Sequence, residues 1–223
     1  MRSLLIIIAI ALVSMLFSVP ANAAYTDQTN AHLGEVPGYS DPDYRLGRKN
    51  RPATTVIGDS ITYGGYVSAL RSKRPGWEVS ARPGRNVSTL PYYVKDRMVN
   101  GRKPPKVLVI ALSTNASVGW TYNNLKSVVN MVPKRTKVVF VNTYRDPAKF
   151  HNGVNYRERA SVQAMYSRWM DIISNTRART CVADWRAAVT ARPWLVHDGV
   201  HPVPGYGYSV WYQVLTKAIS NCS

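Results

Sequence analysis

The stretch "TTVIGDSITYGG", residues 54–65, sets a short β-branched run directly against Gly58, Asp59 and Ser60 and then a segment that can be helical. β-Branched residues favour strands, and a small polar residue after a strand is a common helix start. Strand, tight turn and helix make the first half of a βαβ unit, so the stretch predicts a parallel sheet. Working outward, further strand-like runs occur at "WEVSA" (77–81), "KVLVIAL" (106–112), "TKVVFVNT" (136–143) and "ARTCVAD" (178–184). Segments with helical potential lie at about 61–72, 87–99, 119–131, 156–175 and 206–220.

Strands that read as continuous apolar runs, alternating with helix-length segments, are buried on both faces. The expected fold is therefore α/β: a three-layer α/β/α domain over residues 53–223, with a flavodoxin-like five-stranded parallel sheet. No internal repeat or low-complexity tract interrupts it.

Ahead of this domain, "MRSLLIIIAIALVSMLFSVPANA" has one arginine, an apolar run of about fourteen residues and a small-residue Ala-Asn-Ala end. This is the layout of a secretory signal peptide, with cleavage expected after Ala23. The apolar run falls short of the ~20 residues that span a bilayer. Residues 24–52 are polar and rich in turn formers, and read as an extended leader.

The net charge of +17 over 223 residues favours polyanionic surroundings. Its basic residues are scattered, with small clusters at 45–51 and 71–74, and no aromatic-basic nucleic-acid module is present. Export disfavours nucleic acid further, leaving an anionic cell-wall polymer or membrane surface as partner, or a basic surface that serves solubility alone. Cys181 and Cys222 are the two cysteines, and an oxidising compartment predicts that they pair. No Cys/His cluster has zinc-site spacing, so no metal site is expected.

In α/β folds, ligands bind beyond the carboxyl ends of the strands. Ser60 follows the first strand, Gly84 the second and Asn115 the third, while Asn142 and Tyr144 stand at the end of the fourth. Near the last helix, "DGVHP" (198–202) sets an aspartate three residues before a histidine. Asp198 can reach Nδ1 of His201, fix its tautomer and leave Nε2 to take a proton from a hydroxyl. Ser60 is the best hydroxyl for that role, because a strand-to-helix corner exposes Oγ and the first helical amides favour developing negative charge. Each residue alone also has a plain reading: Ser60 as a helix cap, Asp198 as a turn residue, His201 as a surface histidine.

Taken together, "GDSIT" and "DGVHP" resemble the SGNH (GDSL-type) hydrolase superfamily, over about residues 54–220. The resemblance implies Ser60 as nucleophile, His201 as base and Asp198 as its orienting partner. It also implies an oxyanion hole made by the Ser60 and Gly84 amides and the Asn115 side chain. Ser113 departs from the pattern by standing where the family's third block has glycine. If that glycine serves backbone geometry a serine is tolerated; if it permits close substrate approach, the acyl pocket narrows.

"VIALSTNA", "VVFVNTY", "VADW" and "LVHDGVHP" are similar, more loosely, to the SGNH domains of peptidoglycan O-acetyltransferases and related cell-wall acylhydrolases. The implied activity is a secreted, cofactor-free serine esterase, monomeric, acting on short-chain and above all acetyl esters, with a polysaccharide as the suggested carrier. Acyl transfer to glycan hydroxyls by the same triad is the nearest alternative. A non-catalytic wall-binding protein on the same fold is the second.

Other candidates have weaker claims. His151 and His32 read as solvated, His197 as a packing or rim residue, and Asp59 as a brace for its own turn. Trp120, Trp185 and Trp194 fit packing better than a sugar-binding rim.

Overall fold

The computed structural model describes residues 53–99, 103–115, 119–151 and 154–223. The expected signal peptide and leader, with His32, lie outside them. Five strands form one sheet: β1 (Thr54–Gly58), β2 (Glu78–Ala81), β3 (Val107–Ala111), β4 (Lys137–Val141) and β7 (Thr180–Ala183). Their order is β2-β1-β3-β4-β7 and every pairing is parallel. This is the flavodoxin-like sheet expected from the sequence.

Successive strand side chains point to opposite faces, and here both faces are filled. Val56, Val109, Val139 and Val141 pack on one side with Trp211 and Leu215 of α7 (Tyr206–Asn221). Ile57, Leu108, Ile110, Val138 and Phe140 pack on the other. Their partners are Leu90 and Val94 of α3 (Leu90–Val99), Leu125 and Val128 of α4 (Tyr122–Asn130), and Met170 of α5 (Tyr156–Thr176). Two apolar layers explain why the strands read as unbroken apolar runs rather than alternating ones.

Several boundaries differ from expectation. The first helix begins at Ser60 as α1 (Ser60–Gly65), then loosens into a π-helical segment (Tyr66–Leu70) before a last turn, α2 (Arg71–Lys73). A 3-10 turn (Val87–Thr89) precedes α3. The helix expected from 119 starts at Tyr122, because Thr121 and Asn124 form a reciprocal capping box that fixes the entry. Among the elements not expected at all are α6 (Trp185–Ala191) and a short hairpin of β5 (Phe150–His151) with β6 (Val154–Asn155). Both are too short to show a hydrophobic period.

The predicted disulfide is present: Cys181 of β7 is bonded to Cys222, just beyond α7. Among the described residues, no helix is long and apolar enough to cross a membrane. Because β1 lies between β2 and β3, the loops leaving those two strands flank the corner where Ser60 sits.

Candidate active site

Asp59, rather than Ser60, is the N-cap of α1. Its Oδ1 accepts the Ile61 N–H at 3.0 Å, so the cap reading of Ser60 is replaced and its hydroxyl is left for other work. The Asp59 carboxylate is completely buried, and its Oδ2 also accepts the Thr114 N–H at 3.3 Å, tying the Ser60 corner to the loop after β3. Burial pushes this carboxyl above its ordinary value, against hydrogen bonds from Thr114 and Ile61 and the nearby His201 ring. Ser60 is the first residue of the helix, and its N–H has no partner among the described residues, as expected for a first-turn amide.

The loop before α7 folds back on itself. Val196 and Pro202 form an antiparallel bridge, the His197 N–H donates to the His201 carbonyl at 3.1 Å, and the Val203 N–H donates to Leu195 at 2.8 Å. Gly199 turns the tip at φ 85°, and an added Cβ there would meet Lys149 at 2.8 Å and Asp146 at 3.0 Å. Asp198 sits in this tip. Its Oδ1 accepts the backbone N–H groups of Val200 (2.9 Å) and His201 (2.7 Å), which aims Oδ2 at Nδ1 of the His201 ring, 2.7 Å away. Burial would raise the Asp198 carboxyl, but hydrogen bonds from the His201 ring and from the His201 and Val200 amides, with the histidine's charge, hold it down at about 2.

An ionised Asp198 only accepts, so the His201 proton belongs on Nδ1 and Nε2 is left as an acceptor. Nε2 lies 2.9 Å from Ser60 Oγ. Carboxylate, imidazole and hydroxyl thus form one hydrogen-bonded chain, in which the imidazole can take the hydroxyl proton while the carboxylate stabilises the resulting cation. His197 is a rim residue, half exposed, with Nε2 4.0 Å from Asp198 Oδ2 and its ring 6.2 Å from that of His201.

The loops after β2 and β3 are stitched to the same corner. The Arg82 N–H and the Arg85 guanidinium both donate to the Gly58 carbonyl, and Gly84 occupies the turn between them at φ 74°. Asn115 Nδ2 donates to the Arg85 carbonyl at 3.2 Å, and the Asn115 carbonyl accepts the Val87 N–H at 3.1 Å. Ser113 is 2% exposed, and its hydroxyl donates toward Thr143 Oγ1 (3.2 Å) and the Val141 carbonyl (3.5 Å). Its side chain is directed at the end of β4 and absorbed there.

Elsewhere the roles are structural. Asn142 clamps β4 to α6, donating to Asp184 at 2.8 Å and accepting the Arg186 N–H at 2.8 Å. Tyr144 packs against the core, and burial, with Asp146 nearby, raises its phenol despite Arg186. Trp185 is wholly buried, Trp120 packs on the core and Trp194 is 65% exposed. The side chain of His151 lies outside what is described.

Two residues near the site were missed by sequence reasoning. Tyr208 of α7 fills the space that the missing side chain of Gly64 leaves, and burial, then the charges of Asp59 and Asp198, push its phenol up to about 12. Gln163 of α5 donates from Nε2 to the Thr114 carbonyl at 2.7 Å. Neither carries a local motif that would mark it.

Neither a family model nor a curated protein matches the sequence. Solved structures do. The C-terminal catalytic domain of Streptococcus pneumoniae peptidoglycan O-acetyltransferase A, bearing a methylsulfonyl adduct, aligns with a TM-score of 0.64 at 19% identity, covering 78% of this chain and 95% of that one. A GDSL-like lipase from Bacteroides thetaiotaomicron aligns at 0.62 and 18% identity, covering 89% and 97%. The chain has the SGNH-hydrolase fold. An acetylxylan esterase from Geobacillus stearothermophilus shares it at a TM-score of 0.55 and 15% identity, over 78% of this chain and 96% of that one. On this SGNH fold, the loops after β1, β2 and β3 are hydrogen-bonded to one another at a single rim, and His201 closes onto Ser60 there.

Proposed function

We propose that the protein is a serine esterase. The observation that carries this reading is the continuous chain from Asp198 through His201 to Ser60, with contacts of 2.7 and 2.9 Å. His201 Nε2 takes the Ser60 proton as Oγ attacks the ester carbonyl. The Ser60 and Gly84 amides and the Asn115 carboxamide stabilise the oxyanion. Collapse expels the alcohol, protonated by His201, and leaves an acyl-serine. Water, deprotonated by His201, then attacks this ester; its collapse returns the proton to Ser60 Oγ and releases the carboxylic acid.

Short acyl groups, acetyl first, are the proposed substrates, carried on a cell-wall or other polysaccharide. Support comes from the resemblance to cell-wall acyl-handling domains, from only three phenylalanines in 223 residues, and from the structural likeness to an acetylxylan esterase. The signal-like N-terminus and the disulfide support export. The excess of basic residues suits an anionic wall polymer. A second reading, acyl transfer to a glycan hydroxyl, is favoured by the likeness to an O-acetyltransferase catalytic domain; it differs only in what resolves the acyl-serine.

The test is acetate release from an activated acetyl ester by disulfide-intact protein, beside Ser60→Ala. Turnover by the parent with a loss of at least about 10³-fold in the variant is expected. Equal rates in both would end the esterase reading. Addition of glycan acceptors during turnover then separates transfer from hydrolysis by the appearance of acetylated glycan.

A further inference from the structure

Thr114, the residue before Asn115, is gripped on both sides of its backbone by buried polar groups. Its N–H donates to Asp59. Its carbonyl accepts from Gln163 Nε2 at 2.7 Å and from the Arg145 guanidinium at 3.4 Å. Gln163 and Arg145 are 1% and 6% exposed. Thr114 C=O belongs to the peptide plane that leads into Asn115, so fixing this carbonyl fixes the direction in which the Asn115 side chain leaves the backbone. The bond from Asn115 Nδ2 to the Arg85 carbonyl uses one of its two N–H groups and leaves the other for an oxyanion.

Gln163 is unusual in a second respect. Its Oε1 is buried with no hydrogen-bond partner among the described residues. An orphaned buried acceptor costs on the order of 1–3 kcal/mol, a cost an apolar side chain of the same length would avoid. Turning the amide over would set Oε1 against the Thr114 carbonyl, so the donor orientation is the only sensible one. Packing alone therefore does not account for glutamine in this core position; its N–H does.

We infer that Gln163 is a positioning residue for the reaction: from α5 it holds the Thr114–Asn115 peptide so that the Asn115 carboxamide faces the oxyanion. The inference rests on the esterase reading for its chemistry, but its structural half does not. An oxyanion donor removed outright costs about 10²–10³-fold, and one misdirected by a fraction of an ångström costs less.

The experiment compares parent, Gln163→Met and Gln163→Glu on the activated acetyl ester, with thermal melts and the Asn115 side-chain NH2 signals in ¹⁵N–¹H spectra. Gln163→Met keeps length and volume while removing the donor. It should lower kcat about 10- to 100-fold with KM within about twofold, and shift or broaden the Asn115 NH2 pair. The Gln163→Glu side chain donates only when protonated, so its kcat relative to the parent should rise as pH falls. This variant also serves if Gln163→Met does not fold. Parent-like kcat in a folded variant would overturn the positioning role while leaving the esterase reading intact. Should the parent show no Ser60-dependent turnover, the esterase reading fails and with it the catalytic half of the inference; the Asn115 signals then decide the structural half, which unchanged signals in the variants overturn and displaced signals uphold.

Discussion

Asp198 does two jobs with its two oxygens, and the pair can be separated by pH. Oδ1 is spent on backbone amides and folds the loop tip, whereas Oδ2 orients His201. A carboxyl that titrates near 2 in the folded chain and near 3.8 when unfolded binds its proton more weakly in the folded state. Its stabilisation, roughly 1–2 kcal/mol for a group this accessible, is complete above about pH 5 and is lost as pH falls through about 2. Asp198→Asn should therefore be less stable than the parent at pH 7, with the gap closing in acid, as read from urea unfolding across pH 2–7. It should also lose about 10³- to 10⁴-fold in kcat, since the amide can donate to Nδ1 and favour the wrong tautomer. A gap that stayed constant with pH would refute the ionised, hydrogen-bonded state described. The contact between Asp198 and His201 was legible because their spacing brings the two side chains together within one turn. Gln163 was not, since nothing in a helical stretch shows which inward amide will meet a loop 49 residues away in sequence.

Among the elements, the β-strands were legible because double-sided burial forces apolar runs, while α6 and the β5–β6 hairpin were too short to leave a period. The glycine pair in α1 shows a further limit. Gly64 and Gly65 weaken a helix in isolation, by about 1 kcal/mol each relative to alanine, and the sequence gives no reason for them. The reason lies in α7: an added Cβ would meet the Tyr208 hydroxyl 2.0 Å from position 64 and the Trp211 ring 2.5 Å from position 65. These glycines let the helix that carries Ser60 sit directly on the helix that follows His201. Trp211 is buried and cannot retreat, so overpacking at about 1–3 kcal/mol should outweigh the gain in helix propensity. Gly65→Ala should thus unfold at lower urea than the parent, whereas Gly76→Ala, with nothing within 4 Å, should stay within about 0.5 kcal/mol. Stabilisation by Gly65→Ala would mean that Trp211 can yield and that the α1–α7 seam accommodates a methyl group.

Across the whole molecule, the site and the disulfide occupy opposite ends of α7. The helix starts five residues after His201 and ends one residue before Cys222, a span of about 24 Å at 1.5 Å per residue. Cys222 is buried, its carbonyl accepts from Lys137 at the start of β4, and its sulfur is bonded to Cys181 in the edge strand β7. The last helix is therefore anchored at its far end by covalent bond and hydrogen bond, and at its near end by packing against α1. Pairing across 41 residues contributes about 4 kcal/mol in the chain-entropy model, chiefly by restricting the unfolded chain. For a chain of this size, that corresponds to a melting temperature lowered by about 10 °C in the Cys181→Ser, Cys222→Ser double variant. Because the lost constraint acts on the unfolded state and lies a helix length from Ser60, acetyl-ester kcat at 25 °C should stay within about twofold of the parent. A double variant that melted with the parent would assign the stability of this end to packing and the Lys137 contact. One that melted lower and also lost turnover at 25 °C would show that the anchor holds α7, and through it the Asp198–His201–Ser60 chain, in the folded state itself.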